Sequence, residues 1–404
     1  MNCRISNKPL NLINDFGNQP LGNGFLDKQD FKNEYFYHMK TGFCKESKMF
    51  QLIDQPNMDK MFHENYAFFS SLSTNMKKHF YNWANEIMSD LNKKKEPFIV
   101  ELGCNDGIFL EHFAENKINH LGIEPSVNVA KEAEKKNINV TTKFFKYDVA
   151  NEIVNDFGHA DYFISANVMC HIPNILEVAR GIEKILKKDG LLIFEDPYLG
   201  DVLKRTTYDQ IYDEHVFLFS AHSIKYLFEK VGMELVKLEP QDTHGGSMRY
   251  TLGKKGVHTI DHSVIEIIKK EIDEGVDNYD KMLEFSKNVE QNKIALVKIL
   301  KDISNKNHKI CGYAATSKST TILNYCNIDE NLIDCIFDTT KLKIGKFSPG
   351  KHIPIRDMKE FNHSQYKFAV LFAWNHATEI FQKEKKFSEN NGKWINFSSG
   401  ISII

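Results

Sequence analysis

Short apolar runs alternate with helical periodicity along most of the chain, and the alternation divides it into blocks. Phe98-Ile-Val100, His120-Leu-Gly-Ile-Glu124, Asp161-Tyr-Phe-Ile-Ser-Ala-Asn167 and Leu191-Leu-Ile-Phe-Glu-Asp196 are brief and β-prone, and each ends at or runs into an acidic or polar residue. That pattern predicts buried parallel strands. Between them, helical spacing covers Val129 to Lys136 and Ile175 to Lys187, and another such pattern (Met76, Phe80, Trp83, Ile87) precedes the first strand. The alternation predicts an α/β fold with a doubly wound sheet. It returns at Lys309 to Thr321 (strand, small-residue turn, helix start), Ile333 to Asp338, Lys346 to Pro354 and Ala369 to His376, predicting a second parallel α/β unit. Ser263 to Ile303 is charged and helical, without a sustained heptad seam, and is predicted to link the two units. Residues 1–50 are Asn- and Gly-rich with few periodic runs, as in a small irregular or β-rich module. The expected divisions are 1–55, 56–255, 256–304 and 305–404.

Composition narrows the partners. With 404 residues the chain can bury two or three cores. Its 52 basic and 54 acidic residues nearly balance, so no global field favours nucleic acid or a membrane surface. No signal pattern stands at the N-terminus and no apolar run approaches the roughly 18 residues of a span. Seven cysteines are scattered without a paired framework, as expected of reduced thiols. The expectation is a cytoplasmic protein, monomer or homodimer.

The most informative stretch is Glu101-Leu-Gly-Cys-Asn-Asp-Gly107, between the first strand and a helix opening at Ile108. Gly103 and Gly107 permit positive φ and a close backbone approach to a ligand. The next strand ends at Glu124, where a carboxylate can accept from both ribose hydroxyls. Strand, E-x-G-x-x-x-G, helix, then strand plus Glu resembles the S-adenosylmethionine (SAM) site of class I methyltransferases. A dinucleotide site is the main rival, but it wants G-x-G-x-x-G, which this turn lacks. A turn without any ligand is the bland alternative.

In a doubly wound sheet ligands sit outside the carboxyl ends of the strands, which puts Asn167, His171, Glu195 and Asp196 on one rim. Tyr212, Glu214 and His215 follow within four residues. A histidine beside a carboxylate can act as a general base, with the carboxylate setting its tautomer and raising its pKa; a buried aromatic segment is the equal alternative. Thr243-His-Gly-Gly-Ser-Met-Arg249 reads as a turn into a strand. Thr316 to Thr320 offers N–H groups, hydroxyls and the Lys318 ammonium to a phosphate, although the P-loop pattern is absent. Tyr66 to Ser71 suits a lid or a packed entry segment. Ser6 and Ser47 stand where two C-x-x-C pairs would have their second cysteines. Serine is a poor zinc ligand, so no metal is expected; Cys3 and Cys44 are the ligands only if zinc is retained.

Taken together these motifs resemble the sugar C-methyltransferase family. The likeness runs through Leu21-Gly-Asn-Gly-Phe25, Tyr66-Ala-Phe-Phe-Ser-Ser71, the Glu101–Gly107 turn, Ile123-Glu-Pro-Ser126 and Ala166-Asn-Val-Met-Cys-His171. It continues through Asp209-Gln-Ile-Tyr-Asp-Glu-His215, His244-Gly-Gly-Ser247 and Gly312-Tyr-Ala-Ala-Thr-Ser-Lys318. The resemblance implies a zinc-binding-type N-terminal module, a central class I methyltransferase (Rossmann-like) domain and a C-terminal Rossmann-like domain. It implies SAM as donor and, as acceptor, a nucleotide-linked 4-keto-6-deoxyhexose methylated at C3 through an enolate. His215 would be the base, Glu214 and Tyr212 would orient it or hold the sugar, His171 would steady the ketone oxygen, and Tyr66 would close over both ligands. Glu101, Gly103, Asn105, Gly107 and Glu124 would hold the donor, with Asn167 on its rim. Lys318, Tyr313, His244 and Arg249 would meet the nucleotide sugar. An O- or N-methyltransferase, an NAD(P)-dependent sugar oxidoreductase and a non-catalytic binding protein are the competing readings.

Overall fold

The structure, a computed structural model, describes residues 1–57 and 74–404. Tyr66 lies outside the described residues. Three sheets organise the rest.

The central sheet has seven strands: β4 (Phe98–Leu102), β5 (Asn119–Ile123), β6 (Val140–Thr141), β7 (Ala160–Ala166), β8 (Leu186–Pro197), β10 (Met233–Gln241) and β11 (Ser247–Lys254). Their order is β10-β11-β8-β7-β4-β5-β6. The strands β8 to β6 in that order run parallel, whereas β11 pairs antiparallel with β8, and β10 with β11. The predicted apolar runs are therefore strands buried on both faces, as their unbroken hydrophobicity requires.

The N-terminal sheet contains β1 (Asn11–Pro20), β2 (Phe36–Cys44) and β3 (Met49–Leu52), completed by β9 (Phe217–Leu218), which pairs with β3. So the stretch just after His215 leaves the central fold and becomes an edge of another sheet. At one end of this module, Cys3 Sγ and Ser47 Oγ lie 3.2 Å apart, and Ser6 Oγ and Cys44 Sγ 3.3 Å apart.

The C-terminal sheet runs β14 (Ile355–Asp357), β13 (Ile336–Asp338), β12 (Ile310–Tyr313), β15 (Phe368–Leu371), β16 (Lys393–Asn396), β17 (Ser402–Ile403), parallel except for the last pair. The helical connector is two helices, His262–Glu274 and Tyr279–Ser304, rather than one continuous region. Gly275 at φ 71° takes the left-handed C-terminal position, and the Asn278 side chain caps the second helix by accepting from Asp280 N. The second helix buries Met282, Phe285, Val289, Leu296, Leu300 and Ile303. This stripe packs in one core with Phe16, Phe43 and Phe50 of the N-terminal sheet and Ile310, Ile336 and Leu371 of the C-terminal one. Each such buried side chain contributes roughly 1.5–3 kcal/mol over exposure, so the first and last modules are welded together.

Candidate functional site

Where the three sheets converge lies a cavity of about 1050 Å³. Its donor-side wall is the β4 turn. Gly103 has φ 72°, and a Cβ there would sit 2.3 Å from Val168 Cγ2, so only glycine fits. Asn105 is left-handed at φ 49°, a conformation asparagine tolerates, and its N–H donates to Glu124 Oε2 at 3.1 Å. The other oxygen of Glu124 accepts from Ser126 N at 2.8 Å. Glu124 thus closes the turn from the end of β5 while its carboxylate faces the cavity. Burial raises its pKa, and the Ser126 and Asn105 donors oppose that.

A histidine wall faces this turn. His215 Nδ1 donates to the Gln210 carbonyl at 2.7 Å, and Tyr212 OH lies 2.9 Å from Nε2. His171 stacks on His215 with centroids 5.2 Å apart and planes inclined by 27°. Burial, then His171 and Lys318, hold the His215 pKa well below the ordinary imidazole value. Burial brings His171 down to about 4. His244 is lowered to about 3 by burial, Lys318 and other histidines. All three rings are neutral at pH 7. The expectation that Glu214 sets the tautomer of His215 and raises its pKa is corrected here: a backbone carbonyl sets the tautomer, and burial lowers the pKa.

The loop carrying these groups is pinned by both outer modules. Asn23 Nδ2 donates to Glu214 Oε1 at 2.7 Å and its Oδ1 accepts from Ser317 Oγ at 2.8 Å. Gly22 N donates to Asp213 Oδ1, Thr321 Oγ1 to the Ile211 carbonyl, and Trp374 Nε1 to Asp209 Oδ2 at 2.7 Å.

The far wall belongs to the C-terminal unit. Thr316 caps the helix Ser317–Tyr325 by accepting from Ser319 N. Lys318 Nζ reaches the His244 carbonyl at 3.3 Å, and Lys343 Nζ the Ala315 carbonyl at 2.7 Å. Both lysines line the cavity, and burial lowers both pKa values against the pull of Asp209 on the first and of Asp338 and Glu214 on the second.

Of the expected site residues, Gly103, Asn105, Glu124, Asn167, His171, Tyr212, Glu214, His215, His244 and Lys318 come together around this cavity. Glu101 and Gly107 do not line it. Glu101 is buried beneath the turn, its carboxyl driven well up by burial, Glu124 and Asp106. A Cβ at Gly107 would meet Ile138 Cδ1 at 2.2 Å, so this glycine serves packing. Arg249 is also elsewhere: its Nε donates to Glu195 Oε1 at 2.6 Å and its guanidinium lies 4.4 Å from the Trp83 ring centroid. Tyr313 OH donates to Glu384 at 2.8 Å, away from the cavity. Sequence reasoning missed Gln210, Lys343 and His79. Gln210 Nε2 donates to the His244 carbonyl at 2.7 Å, and its Oε1, in the cavity wall, has no partner among the described residues. Its place five residues before His215 was the available signal; the other two have none, being brought in by long-range packing.

Comparison with known proteins gives three family models in chain order. A zinc-binding domain model matches residues 3–62, "Methyltransferase domain" matches 77–238, and "C-methyltransferase C-terminal domain" matches 242–397. The curated protein "C-methyltransferase NovU" of Streptomyces niveus is 28% identical over 382 residues, covering 94% of this chain and 91% of that one. Among solved structures, a SAM-dependent methyltransferase of Clostridium acetobutylicum is 12% identical over 44% of this chain and 92% of its own, with TM-score 0.35. A magnesium protoporphyrin IX methyltransferase of Synechocystis with bound SAM is 13% identical over 44% and 79%, with TM-score 0.33.

The residues present fit the donor: a cradle that a Cβ would fill at Gly103 and a carboxylate at the end of β5 suit an adenosyl group. They do not fit the zinc, because the four positions at the module's end hold two thiols and two hydroxyls. Among the described residues, no helix is long and apolar enough to cross a membrane. With a donor turn of this geometry, a matching methyltransferase domain and a relative aligned almost end to end, the chain is a SAM-dependent methyltransferase that is similar to C-methyltransferases over nearly its whole length.

Proposed function

We propose that the protein methylates C3 of a nucleotide-linked 4-keto-6-deoxy sugar through an enolate. The observation that carries this reading is the neutral His215, its lone-pair nitrogen turned to the same cavity as the donor turn. A carbon acceptor needs a carbanion equivalent, and a ketone supplies one once the adjacent C–H is removed. SAM, when bound, supplies the electrophilic methyl group. His215 Nε2 takes the proton, competing with Tyr212 for the lone pair, and His171 donates to the developing oxyanion. Glu214, steadied by Asn23, and Gln210 Oε1 are available to the sugar hydroxyls.

The nucleotide end meets Lys318, Lys343 and the start of the helix Ser317–Tyr325. This placement has an electrostatic consequence. Lys318 is one of the groups depressing His215, and a diphosphate beside it cancels part of that effect. The base then strengthens when the acceptor arrives.

Incubation with SAM and a panel of dTDP-, GDP- and CDP-4-keto-6-deoxyhexoses, read by mass spectrometry, tests the acceptor. One methyl gained on one sugar supports it, whereas SAM binding with no methyl gain on any keto sugar excludes it.

A further inference from the structure

We infer that the N-terminal module is a metal-free descendant of a zinc-binding domain, with two crossed thiol–hydroxyl hydrogen bonds in place of the ion. The ligand positions are Cys3 and Ser6 on one turn and Cys44 and Ser47 on the other, each pair spaced as C-x-x-C with the second cysteine replaced. The pairing is crosswise: Cys3 Sγ to Ser47 Oγ at 3.2 Å, Ser6 Oγ to Cys44 Sγ at 3.3 Å. Each turn is therefore tied to the other twice, as a tetrahedral ion would tie them. The first turn keeps its own N–H bonds, Ile5 N to Cys3 Sγ at 3.4 Å and Lys8 N to Ser6 Oγ at 3.3 Å. Cys3, Cys44 and Ser47 are 2%, 1% and 0% exposed and Ser6 is half-buried, so both sulfurs are shielded from solvent while the cluster opens outward at Ser6.

Structural zinc takes four ligands drawn from thiolate and imidazole, and a serine hydroxyl stays protonated and binds it poorly. Nothing nearby completes the set. Among the described residues, the only group of three or more His, Cys, Asp or Glu placed to hold an ion is Cys170, His171 and His215, at the wall of the cavity that the two histidines line.

Two such hydrogen bonds are far weaker than a zinc ion, and a small isolated module would not survive the exchange. This module is not isolated. Cys3, Ile5, Cys44 and Met49 pack into the core of the central sheet, while Met39, Phe43, Phe50 and Leu52 pack into the core shared with the C-terminal unit. β9 adds a fourth strand from the catalytic loop. Burial against two cores and a borrowed strand stabilise what the ion no longer holds.

The test is the zinc content of the full chain, purified from zinc-supplemented cells, with its thermal unfolding measured with and without EDTA. The expected result is zinc far below one per chain and the same Tm in both conditions. Stoichiometric zinc, or a Tm lowered by EDTA, would overturn the inference. A Cys3–Cys44 disulfide under reducing purification, seen as two missing thiols, would overturn it too, since it removes both sulfur partners. The Ser6→Cys/Ser47→Cys double variant is expected to acquire one zinc per chain and to lose it, with a fall in Tm, to EDTA. If it folds without acquiring zinc, the four positions are not the remains of a metal site. Ser47→Ala alone is expected to lower Tm by about 2–4 °C, the size of one lost hydrogen bond.

Discussion

Nδ1 of His215 donates to the carbonyl of Gln210 at 2.7 Å. A carbonyl only accepts, so the proton of the neutral ring stays on Nδ1 and the lone pair on Nε2. Tyr212 OH donates to that lone pair at 2.9 Å. The relationship fixes which atom can abstract a proton before any substrate arrives.

The pH dependence follows. Burial and nearby positive groups disfavour the imidazolium, so His215 stays unprotonated in the free protein below the ordinary histidine pKa. The acid limb of kcat/KM due to His215 is expected below pH 6.5, with activity lost as pH falls through the depressed value. An acid limb above pH 6.5 would assign the base elsewhere. His215→Ala is expected to lose methyl transfer by about 10²–10⁴-fold with SAM affinity retained, measured by turnover and calorimetry.

Gly103 carries a steric prediction. Gly103→Ala places a Cβ against Val168 at a residue with φ 72°. It is expected to destabilise the protein by about 1–3 kcal/mol and to weaken SAM binding by about tenfold or more. Val168→Ala in the same chain removes the clash but not the positive φ, so part of the loss should return. Denaturant unfolding and calorimetry read both effects. SAM affinity unchanged in Gly103→Ala would mean that the donor does not cross this turn.

Asp196 predicts the sign of one stability term. Its carboxyl is completely buried, with Oδ2 accepting from Cys170 N at 3.2 Å, and burial pushes its pKa up to about 8. The folded state holds this proton while the unfolded state releases it near pH 4, so this residue costs stability increasingly as pH rises from about 4 to about 8. Asp196→Asn removes the term. The Tm of the variant minus that of the wild-type protein should therefore increase across that window, by differential scanning calorimetry. A difference that stays flat or falls would show Asp196 ionised in the folded protein.

Local features were legible in the sequence. The β4 turn and Glu124 rest on contacts between adjacent strands, and the His215 ring on Gln210 and Tyr212 within five residues, so that much follows from the local sequence. Features made by distant segments were not. Arg249 looks like a substrate group on a strand after a Gly-Gly turn, yet Glu195 on the neighbouring strand claims it in an ion pair under Trp83. Phe217-Leu218 falls inside the expected 56–255 division, but its strand pairing with β3 depends on a register no local pattern encodes. Asn23 appears only as part of a short motif; that it bridges Glu214 and Ser317 requires all three modules in place. The serines at 6 and 47 were visible, whereas their crosswise pairing with the thiols was not.

The central claim, carbon methylation through an enolate made by His215, is tested most directly by solvent deuterium exchange. The acceptor that gains a methyl group is incubated in D₂O with enzyme and S-adenosylhomocysteine, so that the C–H can exchange but no methyl can transfer. Mass spectrometry and NMR then locate the label. Deuterium at the carbon beside the ketone with wild-type enzyme, and not with His215→Ala, is the predicted result. Methyl transfer by wild-type enzyme without exchange at that carbon, or exchange undiminished in His215→Ala, would contradict the account.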